Sequence, residues 1–264
     1  MALIMAAIAY TLISIGFVLQ KKGISWIGWK GEKDKKYFRN FLLWISGFII
    51  MNIYGIPSAI ALKTLPPHMV SAFAGWGIIV LVFLSKFFLK EQIFKSDYFY
   101  SGIVISGIVL MNLTENISPD IDISTGVLTF VFFLFPLVLF IIVMFLDHKN
   151  ISGNILFAAV SGCSAGLMIV SLKGLVHLFG YRVIEYFGSE FFYLYIFFAI
   201  LSLVSLQMSF KAGPVMITGQ IQYSTTIIYP VAGSLIVFSG TTGIFQLLSL
   251  LLITAGVIKI LKNR

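Results

Sequence analysis

The residues best suited to handling a solute lie inside apolar runs. The richest run reads Thr218-Gly219-Gln220-Ile221-Gln222-Tyr223-Ser224-Thr225-Thr226, then Tyr229-Pro230. On a helix, Thr218, Gln222 and Thr226 recur every four residues and Tyr229 follows three later, so all four share one face. Such a stripe can donate and accept hydrogen bonds to a polar solute, or it can bond neighbouring helices, as membrane helices commonly do. Pro230 has no N–H for the Thr226 carbonyl, which predicts a kink there. A second run holds His68 and Ser71 on one face, Gly75 below them and Trp76 deep in the run. His68 titrates near neutral pH when exposed, and its place one residue from a turn equally fits an interfacial histidine. A third run carries Asn52, Tyr54 and Ser58, with Pro57 predicting a kink close to Tyr54. Gln207 sits among Ser202, Ser205 and Ser209, and Tyr10, Thr11 and Ser14 occupy neighbouring turns of the first run. Substrate-binding candidates are therefore Asn52, Tyr54, Ser71, Trp76, Lys173, Gln207, Thr218, Gln222, Thr226 and Tyr229.

The charged groups near these runs are basic. Lys22, Lys63 and Lys211 stand at the ends of apolar runs, and Lys173 stands further inside one. With His68, the first three are candidates for gating or headgroup contact. Facing a cavity, these amines favour an anionic or phosphate-bearing substrate; at helix ends they snorkel to headgroups instead. All ten acids lie in loops or at the ends of runs. A site for a dehydrated divalent cation would want carboxylate oxygens, and the centres of the runs offer none. No paired acids, Ser-His dyad or Cys/His cluster falls inside a run, which argues against an intramembrane enzyme. The one cysteine, Cys163, can form no internal disulfide. No cofactor is expected, and the metal ligands are left open.

The composition dictates what positions these residues. Hydrophobic residues make up 59% of the 264 and charged residues 11%, against roughly 25% charged in a soluble domain. Mean hydropathy is +1.02. Such a chain cannot cover a soluble surface, so it reads as an all-α integral membrane protein. At roughly 20 residues per span, nine apolar segments fit, at about 2–20, 40–63, 67–89, 98–114, 123–146, 154–178, 190–210, 214–238 and 242–261. The first reads as a span rather than a signal peptide. Alternating the loops places fifteen of the 18 Lys and Arg residues on one side. The positive-inside rule then puts the N-terminus outside and the C-terminus in the cytoplasm. The net charge of +8 follows from that bias and gives no reason to expect nucleic acid.

The two ends of the chain also resemble each other. Val18-Leu19-Gln20-Lys21-Lys22-Gly23 matches Val170-Ser171-Leu172-Lys173-Gly174 at an offset of 151. Leu62-Lys63-Thr64-Leu65-Pro66 matches Phe210-Lys211-Ala212-Gly213-Pro214 at 148, and Ser106-Gly107-Ile108-Val109 matches Ala255-Gly256-Val257-Ile258 at 149. Four spans, a connecting span and four more invert the second repeat relative to the first. The expected organisation is a first repeat at 1–115, a connecting helix at 116–150 and a second repeat at 151–264. Inverted repeats of this kind are common in secondary transporters, which bind substrate near mid-membrane.

Ser14-Ile15-Gly16-Phe17-Val18-Leu19-Gln20-Lys21-Lys22-Gly23 resembles the first-helix ending of the NIPA-type magnesium transporters, which belong to the drug/metabolite transporter (EamA-like) superfamily. Ala61-Leu62-Lys63-Thr64-Leu65-Pro66, followed by a helix ending Phe87-Phe88-Leu89-Lys90-Glu91, is similar to a helix pair of that superfamily. Gly102 to Met111 resembles the glycine-containing helix that follows. The likeness covers most of 9–112 and is looser over 154–260. The position matching Glu91 in the second half is Ser239, so the acid is not duplicated. The superfamily likeness implies a transporter fold, and the subfamily likeness implies magnesium.

The sequence thus points to a secondary carrier in the plasma membrane, working by alternating access on magnesium or a small organic or phosphate-bearing anion. The alternative is a flippase for a lipid-linked phosphate headgroup. Its partners are the bilayer and an ion or small-molecule substrate; a homodimer is compatible with the sequence.

Overall fold

Inside hydrocarbon each backbone N–H and C=O must find a partner within the protein, which long apolar runs achieve as helices. The computed structural model describes residues 1–27, 35–62, 73–113, 127–145, 151–179, 182–236 and 244–262. Among these, helices occupy each of the nine expected segments and there is no strand. The helices are α1 Ala2–Gly23, α2 Lys35–Ile53, α3 Gly55–Leu62, α4 Ala74–Leu84, α5 Lys95–Leu113, α6 Val127–Phe145, α7 Ile151–Phe179, α8 Glu190–Ala212, α9 Val215–Ile236 and α10 Ile244–Lys262. The second segment supplies both α2 and α3. The helical stretches Ala2–Trp26, Lys35–Ser58 and Glu190–Ala212 are each long and apolar enough to cross a membrane, and Ala74–Leu89, Phe130–Phe145, Gly153–Met168 and Leu247–Lys259 are shorter apolar helices. The chain is a multi-pass membrane protein.

Two units emerge. The first comprises Met1–Glu115, Gly213–Gln220 and Gly243–Arg264; the second comprises Asn116–Ala212 and Ile221–Thr242. The first unit thus begins with the expected first repeat and adds two later segments.

In the first unit α1 packs against α2, α3 and α4, and α5 packs against α4 and α10. Glycines set the closest approaches. A Cβ on Gly16 would stand 2.7 Å from Met51 Cβ, and one on Gly47 would stand 2.8 Å from the Gly16 carbonyl. Side chains there would push the helices apart. In the same way Gly107 abuts Ile253, and Gly256 abuts Val104. The later a contact residue falls in α5, the earlier its partner falls in α10, so these two helices run antiparallel.

In the second unit α7 packs against α8 and α6. Small hydroxyls and an amide stitch α7 to α8. Asn154 Nδ2 donates to the Ser209 carbonyl at 2.9 Å, and Ser209 Oγ donates back to the Asn154 carbonyl at 2.8 Å. Ser202 Oγ donates to the Ser161 carbonyl at 3.0 Å. Phe132, Val160, Leu167, Val170, Phe198 and Leu201 form the core beside these bonds. On α6, Phe132 and Val143 are buried, whereas Phe130, Val131, Phe135, Val138, Ile141 and Ile142 are exposed. One face of α6 is therefore packed and another is apolar and open, as a lipid-facing helix requires.

Candidate substrate site

Pro57 breaks the second span. α2 stops at Ile53, Tyr54 lies outside both helices, and α3 begins at Gly55. The Ser58 N–H bonds the Tyr54 carbonyl at 3.1 Å. Pro57 has no N–H to offer the Ile53 carbonyl, its partner in an unbroken helix. The kink expected near Tyr54 is present.

The break lies level with the middle of α1. α1 has 22 residues, roughly 33 Å of helix, and Tyr10 and Thr11 lie close to its midpoint. Gly23 packs on Trp44 and Gly16 on Met51; one further turn of that antiparallel register brings Tyr54 level with residues 10–13. Tyr10 and Tyr54 are electrostatic neighbours. On the other flank of α1, Trp76 Nε1 donates to Thr11 Oγ1 at 3.0 Å, and Thr11 Oγ1 donates to the Ala7 carbonyl at 2.8 Å. Ser14 Oγ donates to the Gly77 carbonyl at 2.8 Å, fixing α4 to α1.

Asn52, Tyr54 and Trp76 are all exposed on this unit. The Asn52 amide nitrogen donates to the Phe48 carbonyl at 2.7 Å, which leaves its oxygen to accept. A Cβ on Gly55 would meet nothing within 4 Å, so the break borders open space. An exposed amide and phenol at hydrocarbon depth are costly against lipid and suit a water-accessible pathway.

The first unit also holds the start of α9 in place. The N–H groups there lack helical acceptors and favour negative charge. Glu91 supplies it, accepting from Val215 N at 2.6 Å and Met216 N at 3.1 Å. A π turn, Ser85–Leu89, ends α4's run, and Lys90 follows it with φ 57° and ψ 33°, a left-handed conformation that a non-glycine residue seldom takes. Lys21 Nζ donates to the Gly213 carbonyl at 2.7 Å. Gln220 Nε2 donates to Ser101 Oγ at 2.7 Å. Thr218 is buried, its hydroxyl on the Pro214 carbonyl at 3.2 Å. Residue spacing alone did not reveal these contacts. Gly213-Pro214 did mark a helix start, and Glu91 stood out only through the family likeness.

In the second unit the stripe residues engage other helices. Thr226 Oγ1 donates to the Gly162 carbonyl at 3.3 Å, and Tyr229 OH donates to the Phe132 carbonyl at 2.7 Å. Gln222 is half-buried, and its Oε1 has no hydrogen-bond partner. Ser164, Ser171, Ser205 and Ser224 likewise bury hydroxyls without a partner. Gln207 is buried on α8. Lys22 and Lys211 are exposed at the ends of α1 and α8. Lys63, His68 and Ser71 lie outside the described residues, as does the side chain of Lys173.

The structure therefore gathers Asn52, Tyr54 and Trp76 around the midpoint of α1, and sets Gln222, Thr226 and Tyr229 on α9 within the second unit. Among the described residues no three His, Cys, Asp or Glu side chains come together. The described acids are Glu91, Asp97, Glu185 and Glu190, each at a helix end. Asp97 Oδ2 accepts from Phe94 N at 2.9 Å at the start of α5, and Glu185 pairs with Arg182 at 2.7 Å. What the groups around the midpoint of α1 offer is neutral oxygen and aromatic surface, which can hold a solute.

Broken apolar helices of this kind are common in membrane transporters. Comparison of sequences narrows this: the magnesium transporter NIPA family model matches residues 1–252, and the chain belongs to that family. The resemblance noted in the sequence is borne out, and the family is one of transporters, not enzymes. No curated protein and no solved structure matches the chain.

Proposed function

We propose that the chain carries magnesium across the plasma membrane by alternating access between two inverted repeats, 1–115 and 151–264, joined by the helix within 116–150. The N-terminus lies outside and the C-terminus in the cytoplasm. The observation that carries the proposal is the break at Tyr54, which sets an exposed amide, a phenol and a carbonyl that Pro57 cannot serve at mid-membrane depth beside open space. Discontinuous helices at that depth commonly form transporter binding sites.

The contacts of α5 and α10 support the inverted repeats. Gly107 meets Ile253, and Gly256 meets Val104. Adding 149 to 107 and 104 gives 256 and 253, so the two contacts exchange under the offset found in the sequence. Magnesium is favoured over an organic or phosphate-bearing anion because Lys22, the described lysine candidate in the same unit as the break, is exposed at the end of α1 rather than at its midpoint. Proteoliposomes carrying the full chain and an internal magnesium-sensitive dye test this. The expected result is saturable influx above that of empty liposomes. No influx in a folded, monodisperse preparation would overturn the magnesium reading.

A further inference from the structure

We infer that the break in the second span receives magnesium as its fully hydrated ion and recognises the coordinated water rather than the metal, an inference that rests on the transport reading above. Magnesium gives up water reluctantly, and direct ligation at about 2.0–2.1 Å usually involves one or two carboxylates. Among the described residues the break offers none: the described acids, Glu91, Asp97, Glu185 and Glu190, all lie outside α2 and α3. What it presents are acceptors. Asn52 Oδ1 is left to accept, because its Nδ2 is committed to Phe48. The Ile53 carbonyl lacks its usual helical donor, because Pro57 has no N–H to give it. Tyr54 adds an exposed phenol, and the space beside Gly55 leaves room for a hydration shell.

Water bound to a divalent cation is a strengthened donor, and donors are what these oxygens call for. Neutral acceptors also bind the shell weakly enough to release it, which a carrier needs. Trp76 does not compete as a donor here, since its indole N–H is held by Thr11. The site thus reads the octahedral array of O–H donors around the ion.

Hexaamminecobalt(III) tests this directly. It keeps its six ammonia ligands throughout an assay and shows an octahedral array of N–H donors, but it cannot accept a protein ligand on the metal. Added outside the magnesium-loading proteoliposomes, it is expected to raise the apparent KM for magnesium while leaving the maximal rate unchanged. Asn52→Ala and Tyr54→Phe are each expected to weaken magnesium and hexaamminecobalt together, by about fivefold for one neutral hydrogen bond. Two variants are used so that one misfolding does not decide the result. Magnesium influx that hexaamminecobalt leaves untouched would overturn water-shell recognition while sparing the transport reading. Inhibition undiminished in both variants would place the ion elsewhere and overturn the assignment to this break. Absence of any magnesium influx would overturn both readings.

Discussion

Span 2 in the first unit and span 5 in the second each carry a proline within an apolar run, and they treat the carbonyl it strands in opposite ways. In span 5, α6 runs on through Pro136, and the stranded Phe132 carbonyl receives the Tyr229 hydroxyl at 2.7 Å. The two rings stack 4.4 Å apart at 11°. In span 2 the helix stops at Ile53, and Asn52 and Tyr54 stand exposed. A proline in a membrane helix is therefore only half a statement. Where another helix fills the freed carbonyl, the proline is a packing device. Where it opens to space, it exposes backbone oxygen at a depth that otherwise has none.

The glycines near the two sites sharpen the contrast and give the largest expected effect. Gly162 of α7 lies so close to α9 that a Cβ would stand 2.6 Å from the Gln222 carbonyl and overlap Thr225 Oγ1. Gly162→Leu should abolish folded protein, read as loss of the monodisperse peak in size-exclusion chromatography. Gly55→Leu enters open space and should leave that peak intact while lowering magnesium influx. A monodisperse Gly162→Leu protein of wild-type stability would break the comparison at its base.

Pro57→Ala comes next. It restores an N–H to the Ile53 carbonyl, a bond of about 1 kcal/mol, and heals α2 into α3. Thermal stability in detergent should hold or rise. Magnesium influx should fall at least about tenfold, the equivalent of ~1.4 kcal/mol in the barrier. Full activity with a straightened span would show that the break is architecture and nothing more.

These two spans also show what was legible in the sequence. Hydropathy located a helix in each expected segment, because the bilayer sets the length of an apolar run and forces it helical. Pro57 announced its kink for a local reason, a missing donor four residues from its acceptor. The stripe of Thr218, Gln222, Thr226 and Tyr229 was legible as a helix face, but its partners were not. Tyr229 reaches a carbonyl 97 residues away, and Glu91 caps a helix 124 residues on. Helical periodicity says which side chains point together and nothing about what they meet. The exposure of Asn52 and Tyr54 was hidden for the same reason, since it depends on where α1 and α4 come to rest.

The smallest expected effect isolates the filled carbonyl. Tyr229→Phe keeps the ring stack on Phe132 and removes only the hydroxyl. It leaves the carbonyl of buried Phe132 without that donor, at a cost of about 1 kcal/mol or somewhat more. On its own, that loss has several explanations. In a Pro136→Ala background it has one, because an N–H at position 136 already serves the Phe132 carbonyl and the tyrosine hydroxyl becomes redundant there. The double-mutant cycle should therefore show a coupling of about 1 kcal/mol between positions 136 and 229, read from unfolding midpoints in detergent. Additive losses would mean that Tyr229 stabilises α9 through its ring alone. The two prolines would then differ in surroundings but not in the bond that separates a packed kink from an open one.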